Sequence, residues 1–162
     1  MKAKEPGILT QNEALEKLRY YCGYQERSKK QVIQKMNSLM CQPEWQETLI
    51  ESLTNENYLN ETRYKASFIK GKSTLKGWGP IKISQHLSFE TGENVDVASL
   101  LNPDDLTKAR QKLTKDLKKK LLQLQSKDST DIFGKLFRFS LSRGFSIVDA
   151  KFFCDSIIQS KE

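Results

Sequence analysis

Residues 102–125, NPDDLTKARQKLTKDLKKKLLQLQ, decide the fold class. Leu106, Ala109, Leu113, Leu117, Leu121 and Leu124 recur in steps of three and four, which draws one apolar stripe along a helix. The stretch also opens as a helix should. Asn102 precedes Pro103, whose fixed φ suits the first helical position, and Asp104 and Asp105 sit at the positive end of the helix dipole.

The same spacing continues on both sides, with hardly any period-two alternation. Ser28 is placed to cap a helix carrying Val32, Ile33, Met36 and Leu39, and Pro43 opens another with Trp45, Leu49, Ile50 and Leu53. Asn60 starts a helix with Tyr64, Phe68 and Ile69; Gly79-Pro80 starts one with Ile81, Ile83 and Leu87. Val95, Val97, Leu100 and Leu101 make a short element. Ile132, Phe133, Leu136, Phe137 and Phe139 lead to a stop at Arg143-Gly144, and Phe145, Ile147, Val148, Phe152, Phe153 and Ile157 close the chain. The expected class is all-α.

The helices fall into threes. Val32, Ile83 and Leu136 stand 51 and 53 residues apart, and each is followed by an apolar pair: Leu49/Ile50, Leu100/Leu101 and Phe152/Phe153. This predicts three tandem three-helix repeats over 11–59, 60–102 and 103–160, after a flexible tail at 1–10. Each repeat alone has a thin core, so stacked neighbours are expected to bury one another's surface in an elongated, curved stack.

The chain has 162 residues, with 27 Lys and Arg against 20 Asp and Glu, a net charge of +7 with its single His neutral. Only 37% of it is apolar, but 8 Phe, 5 Tyr and 2 Trp provide core bulk, which excludes wholesale disorder. No apolar run approaches the roughly 18 residues of a membrane span. The start, Met-Lys-Ala-Lys-Glu-Pro-Gly, has no apolar core of an export signal, so a cytoplasmic location is expected. Cys22, Cys41 and Cys154 form no CxxC pair; with one His they suit reduced thiols used as small hydrophobes better than a disulfide framework or a metal site. No cofactor is expected.

Charge alternates along the chain. Residues 17–35 hold six bases and one acid, 42–62 five acids and no base, 63–82 six bases and no acid, 83–107 five acids and no base, and 106–127 eight bases and one acid. Two readings fit. Helices of opposite sign can lie side by side for solubility and weak pairing, or stacked repeats can align their basic helices into a stripe for an acidic partner or phosphates.

Catalytic motifs are not supported. Residues 66–73 loosely match a phosphate-binding loop, but that chemistry needs a strand before the loop and a helix after it, and this stretch continues a helical apolar face. His86 has no Cys or carboxylate at a useful spacing, and the acids lie in polar, like-charged stretches where general acid–base tuning is not expected. Trp78 stands out, flanked by Gly77 and Gly79-Pro80 and surrounded by Lys70, Lys72, Lys76 and Lys82. A large ring there either plugs the junction between two repeats or projects as a binding anchor.

Several of these residues resemble one family. Glu26-Arg27-Ser28 at a helix start, Tyr58-Leu59-Asn60-Glu61-Thr62-Arg63-Tyr64 with Phe68-Ile69, and Gly77-Trp78-Gly79-Pro80 with Ile83 look like the RecX family of bacterial regulatory proteins. Leu136-Phe137-Arg138-Phe139 and Arg143-Gly144-Phe145 are similar to its third repeat, and the resemblance covers about residues 12–158. Glu61 and Lys65 stand where the family usually has Asp and Ala, and residues 40–44 replace its usual Gly-containing turn.

The resemblance implies three three-helix repeats and a cytoplasmic, non-enzymatic modulator of the RecA recombinase; a monomer is expected. Such proteins lodge in the groove of the RecA filament on single-stranded DNA and damp strand exchange, ATP hydrolysis and repressor cleavage. On this basis the expected contacts are Arg27, Lys29, Lys30, Arg63, Lys65, Lys70, Lys72, Lys76 and Lys82, with Trp78 the aromatic anchor; Tyr24 and Tyr64 are further aromatic candidates, Tyr64 in phase with core Phe68. Weak direct DNA binding is compatible. The rival reading is a basic helical nucleic-acid-binding protein that acts on DNA itself, with steeply salt-dependent affinity.

Overall fold

A computed structural model describes residues 9–125 and 131–160. The first eight residues of the expected tail therefore lie outside the described part, while Thr10 at its end caps the first helix. Among the described residues the structure is all helical, with α1 Gln11–Tyr24, α2 Lys29–Ser38, α3 Gln46–Asn55, α4 Glu61–Thr74, α5 Pro80–Thr91, α6 Val97–Leu100, α7 Pro103–Gln125, α8 Ile132–Ser142 and α9 Ile147–Gln159. A single 3₁₀ turn, Pro43–Trp45, leads into α3. The chain divides into two compact units, one ending at Ser67 and the other beginning at Phe68.

In the first unit α1, α2 and α3 pack on one another. Ala14, Leu18 and Cys22 repeat every four residues on α1 and meet Val32 and Met36 of α2, Leu49 and Leu53 of α3, and Leu59, all buried. The caps follow the sequence. Ser28 Oγ accepts from the Gln31 amide at 3.1 Å, and the Gln31 side chain accepts from the Ser28 amide at 3.3 Å, which closes a capping box. Ser28 is fully buried, so Ser28→Ala should cost about 1–2 kcal/mol in urea unfolding followed by circular dichroism.

Helix α2 ends in a Schellman turn: the Cys41 amide donates to the Met36 carbonyl and the Met40 amide to that of Asn37, both at 3.0 Å. Met40 takes the left-handed conformation there, at φ 53°, with its side chain out in solvent. The turn thus survives without the Gly that would adopt it freely. Asn57, at φ 61°, closes α3 in the same way.

The second unit is built on α7, α8 and α9. Ala109, Leu113, Leu117 and Leu121, four of the stripe residues, are buried with Leu136, Phe145, Cys154 and Ile157. The apolar pairs split, because neighbouring residues on a helix point about 100° apart. Leu101 is buried and Leu100 exposed; Phe153 is half-buried and Phe152 exposed. On α9 the small residues Ala150 and Cys154 face inward, and Ile147 and Val148 point out.

The α5 start is joined to the α8–α9 turn. Gly79 occupies the N-cap position without a side chain to cap with, and its amide donates instead to the Arg143 carbonyl at 2.7 Å. The Ile81 amide donates to the Gly144 carbonyl at 3.1 Å, and Lys82 Nζ to the Ser142 carbonyl at 3.0 Å. A Cβ on Gly79 would strike the Gly144 carbonyl, and one on Gly144 would strike Lys82. Glycine at both positions is what lets the two backbones touch.

Candidate functional site

The candidate site is the turn between α4 and α5. Gly77, buried and left-handed at φ 65°, ends the helical path; its amide donates to the Ser73 carbonyl at 3.1 Å, and the Trp78 amide to that of Lys72 at 3.0 Å. These bonds leave the Trp78 ring half-buried at the junction. Lys72 Nζ stands 4.9 Å and Lys82 Nζ 4.6 Å from that ring, so one π system holds two cations. Exposed His86 packs beside it, centroid to centroid 4.7 Å. Lys72 Nζ also lies 5.1 Å from the Phe68 ring. Lys70 and Lys76 are exposed.

Three cations outside the expected set belong to the same junction. Arg143 Nη1 donates to the Lys76 carbonyl at 3.2 Å, Nη2 pairs with Asp116 at 3.2 Å, and the guanidinium lies 4.9 Å from the Phe139 ring. Lys120 Nζ is 5.0 Å from the same ring. The Lys112 stem lies where a Gly77 side chain would begin, 2.9 Å from that Cβ position. In the sequence Arg143 read as part of a helix stop and of the Arg143-Gly144-Phe145 resemblance, and not as a contact. Its clamp links positions 67 and 27 residues away, and no local pattern announces such a contact.

The other expected contacts, Arg27, Lys29, Lys30, Arg63 and Lys65, belong to the first unit. Lys29 is exposed; Lys30 and Lys65 are half-exposed. Arg27 lies 3.9 Å over the Tyr21 ring. Arg63 is engaged within the fold. Its Nε pairs with Glu26 at 2.8 Å, and Nη1 and Nη2 donate to the Asn57 side chain at 2.6 Å and the Asn57 carbonyl at 2.8 Å, which fixes the left-handed turn. Tyr64 is buried, as its phase with Phe68 requires.

Residues 66–73 lie inside α4, so the loose phosphate-loop match has helical geometry and no loop amides to offer an anion. Cys22 and Cys154 are buried, and burial pushes both thiols up, away from the reactive thiolate. The hydrogen bond from Arg19 holds the Glu56 carboxyl below the usual carboxylate range. Among the described residues no group of His, Cys, Asp and Glu is placed to hold a metal, and no helix is long and apolar enough to cross a membrane.

No family model matches the chain. Regulatory protein RecX of Streptococcus sanguinis is 26% identical over 133 residues, covering 82% of this chain and 50% of that protein. Regulatory protein RecX of Pseudomonas fluorescens is 31% identical over 72 residues, 44% of this chain and 46% of that protein. The chain spans about half the length of the curated relatives it matches. Among solved structures, RecX from Lactobacillus salivarius superposes with a TM-score of 0.66 at 23% identity, covering 93% of this chain and 95% of that one. Another crystal structure of regulatory protein RecX gives 0.70 at 20% identity over 90% and 71%. Sequence shared with these curated relatives and an all-helical fold that matches the solved RecX structures together support the RecX family for this chain.

Proposed function

We propose that the chain is a non-enzymatic, cytoplasmic regulator, monomeric in itself, that binds the filament of a RecA recombinase on single-stranded DNA and restrains its recombinase and coprotease activities. The observation that carries this reading is the Trp78 junction. It combines a half-buried aromatic anchor, two lysines held over it and the exposed Lys70 and Lys76, within a stretch of six bases and no acid. A preorganised ring gives a partner something to bury, and the cations speed encounter and set register.

The contact set is Lys70, Lys72, Lys76, Lys82 and Trp78, together with Arg27, Lys29, Lys30, Arg63 and Lys65. Arg63 acts through the Asn57 turn that it holds. The chain is read as three repeats, 11–59, 60–102 and 103–160. Two sets of spacings support that division. The N-caps Ser28, Gly79 and Asp131 stand 51 and 52 residues apart, and the left-handed residues Met40, Gly92 and Gly144 are separated by 52 and 52. Equivalent turns recurring at one period are what repeated helical units produce.

Reversal of Lys70, Lys72 and Lys76 to Glu should weaken cosedimentation with RecA-coated oligonucleotide, and suppression of strand exchange, by roughly ten- to a hundredfold. Unchanged suppression by a variant with wild-type helicity and melting would remove this surface from the account. Failure of the wild-type chain to cosediment at modest ionic strength would end the proposal itself.

A further inference from the structure

A second surface, on the first unit, does not depend on the reading above. Four of the chain's five tyrosines gather there: Tyr20, Tyr21, Tyr24 and Tyr58. The core face of α1 runs through Ala14, Leu18 and Cys22, so Tyr20 and Tyr24, out of phase with it by two residues, point away. They are 79% and 78% exposed, which is unusual for two large rings one turn apart. Among the described residues, neither ring belongs to the core cluster of the unit or packs against it.

The rings form a ridge between two open hollows. One, of about 490 Å³, is lined by Tyr20, Tyr21 and Tyr24 with Lys17, Arg27 and Lys35. The other, of about 440 Å³, includes Tyr20 and Tyr24 again, with Tyr58 and Gly23. Two of the three cations of the first hollow, Arg27 and Lys35, are held in place. Arg27 stacks 3.9 Å over Tyr21 while its Nε donates to the Tyr21 carbonyl at 3.3 Å, and Lys35 Nζ stands 5.6 Å from the same ring. Glu16 is the one acid among the described residues of that lining, and it pairs with Arg19.

Exposed flat rings beside fixed cations suit a ligand that alternates π faces with negative charge. An acidic peptide would use the cations and leave the rings idle. An apolar helix would need an aliphatic floor, and among the described residues Leu39 is the one aliphatic side chain in the lining. We propose that the Tyr20–Tyr24 ridge is a stacking platform for single-stranded nucleic acid, with successive bases on the two rings and phosphates on Lys17, Arg27 and Lys35. Positions 20 and 24 lie about 6 Å apart along the helix axis, a rise that an extended, unstacked strand can follow from one ring to the other.

The test is fluorescence anisotropy, without any recombinase, on a labelled oligothymidine of about 15 nucleotides, an abasic strand of equal length and charge, and a duplex of the same length. Wild type should prefer oligothymidine to both others. Tyr20→Ala with Tyr24→Ala should weaken oligothymidine binding about tenfold or more, and Tyr20→Phe with Tyr24→Phe should retain it, because the ring and not the hydroxyl stacks. Both side chains lie outside the core, so an unchanged melting temperature confirms that the variants fold. Equal binding of the abasic strand, or undiminished binding by the alanine variant, would overturn the platform, as would an absence of oligothymidine binding at low salt. Loss by the alanine variant of recombinase engagement alone would overturn it too, and would identify the ridge as a protein contact.

Discussion

Gly144→Ala should cost the second unit about 3 kcal/mol or more, measured as a lower urea midpoint at an unchanged denaturant slope. Two effects add. Gly144 sits at φ 88°, a left-handed conformation that an L side chain adopts at a cost of about 1 kcal/mol or more. Its Cβ would also drive into Lys82, and the nearest atoms include backbone, which cannot swing aside. Relief of the clash would pull the α8–α9 turn from α5 and break the hydrogen bonds from Gly79 and Ile81 to its carbonyls. Gly92→Ala separates the two effects. Gly92 has φ 74° but nothing within 4 Å of a Cβ, so its cost should be the conformational part alone, about 1 kcal/mol. Equal losses at the two glycines would show that the close approach contributes nothing.

Leu117→Ala should destabilise the same unit by about 3 kcal/mol in urea or thermal unfolding. Leu117 is fully buried at the middle of α7, in a cluster with Leu113, Leu121, Leu136, Phe145, Cys154 and Ile157. Truncation removes three methyl-sized groups from contact and leaves a space that α8 and α9 can fill only by moving together. Five residues on, Leu122 is 59% exposed, and Leu122→Ala should stay within about 0.5 kcal/mol of wild type. Similar costs at the two leucines would mean that the face of α7 is wrongly assigned.

These contrasts show what could be read without coordinates. The α7 stripe has one solution because four buried positions in steps of four leave no other face to bury. The caps at Ser28, Asn102 and Pro80 were legible because each acts on amides two or three residues away or fixes its own φ. The adjacent apolar pairs were not. Leu100 against Leu101, and Phe152 against Phe153, differ only in helical phase, and small Ala150 and Cys154 took the inward positions that bulk alone would have given to aromatics. The outward rings of α1 could have been found from the phase of Leu18 and Cys22, a signal that residue type masks because tyrosine serves equally in a core.

By itself, then, the order of residues determined the helical class, most helix starts, the alternation of charge and the cluster of lysines near Trp78, since all of these depend on neighbours within a turn or two. Tertiary structure alone decided that Lys72 and Lys82 hold the Trp78 ring, that Arg143 clamps Lys76 to Asp116, that Arg63 is occupied with Asn57, and that Gly79 takes its cap from the Arg143 carbonyl. The reason is physical. Such contacts join residues up to 67 positions apart, and their partners are chosen by how helices pack and not by any periodicity along the chain.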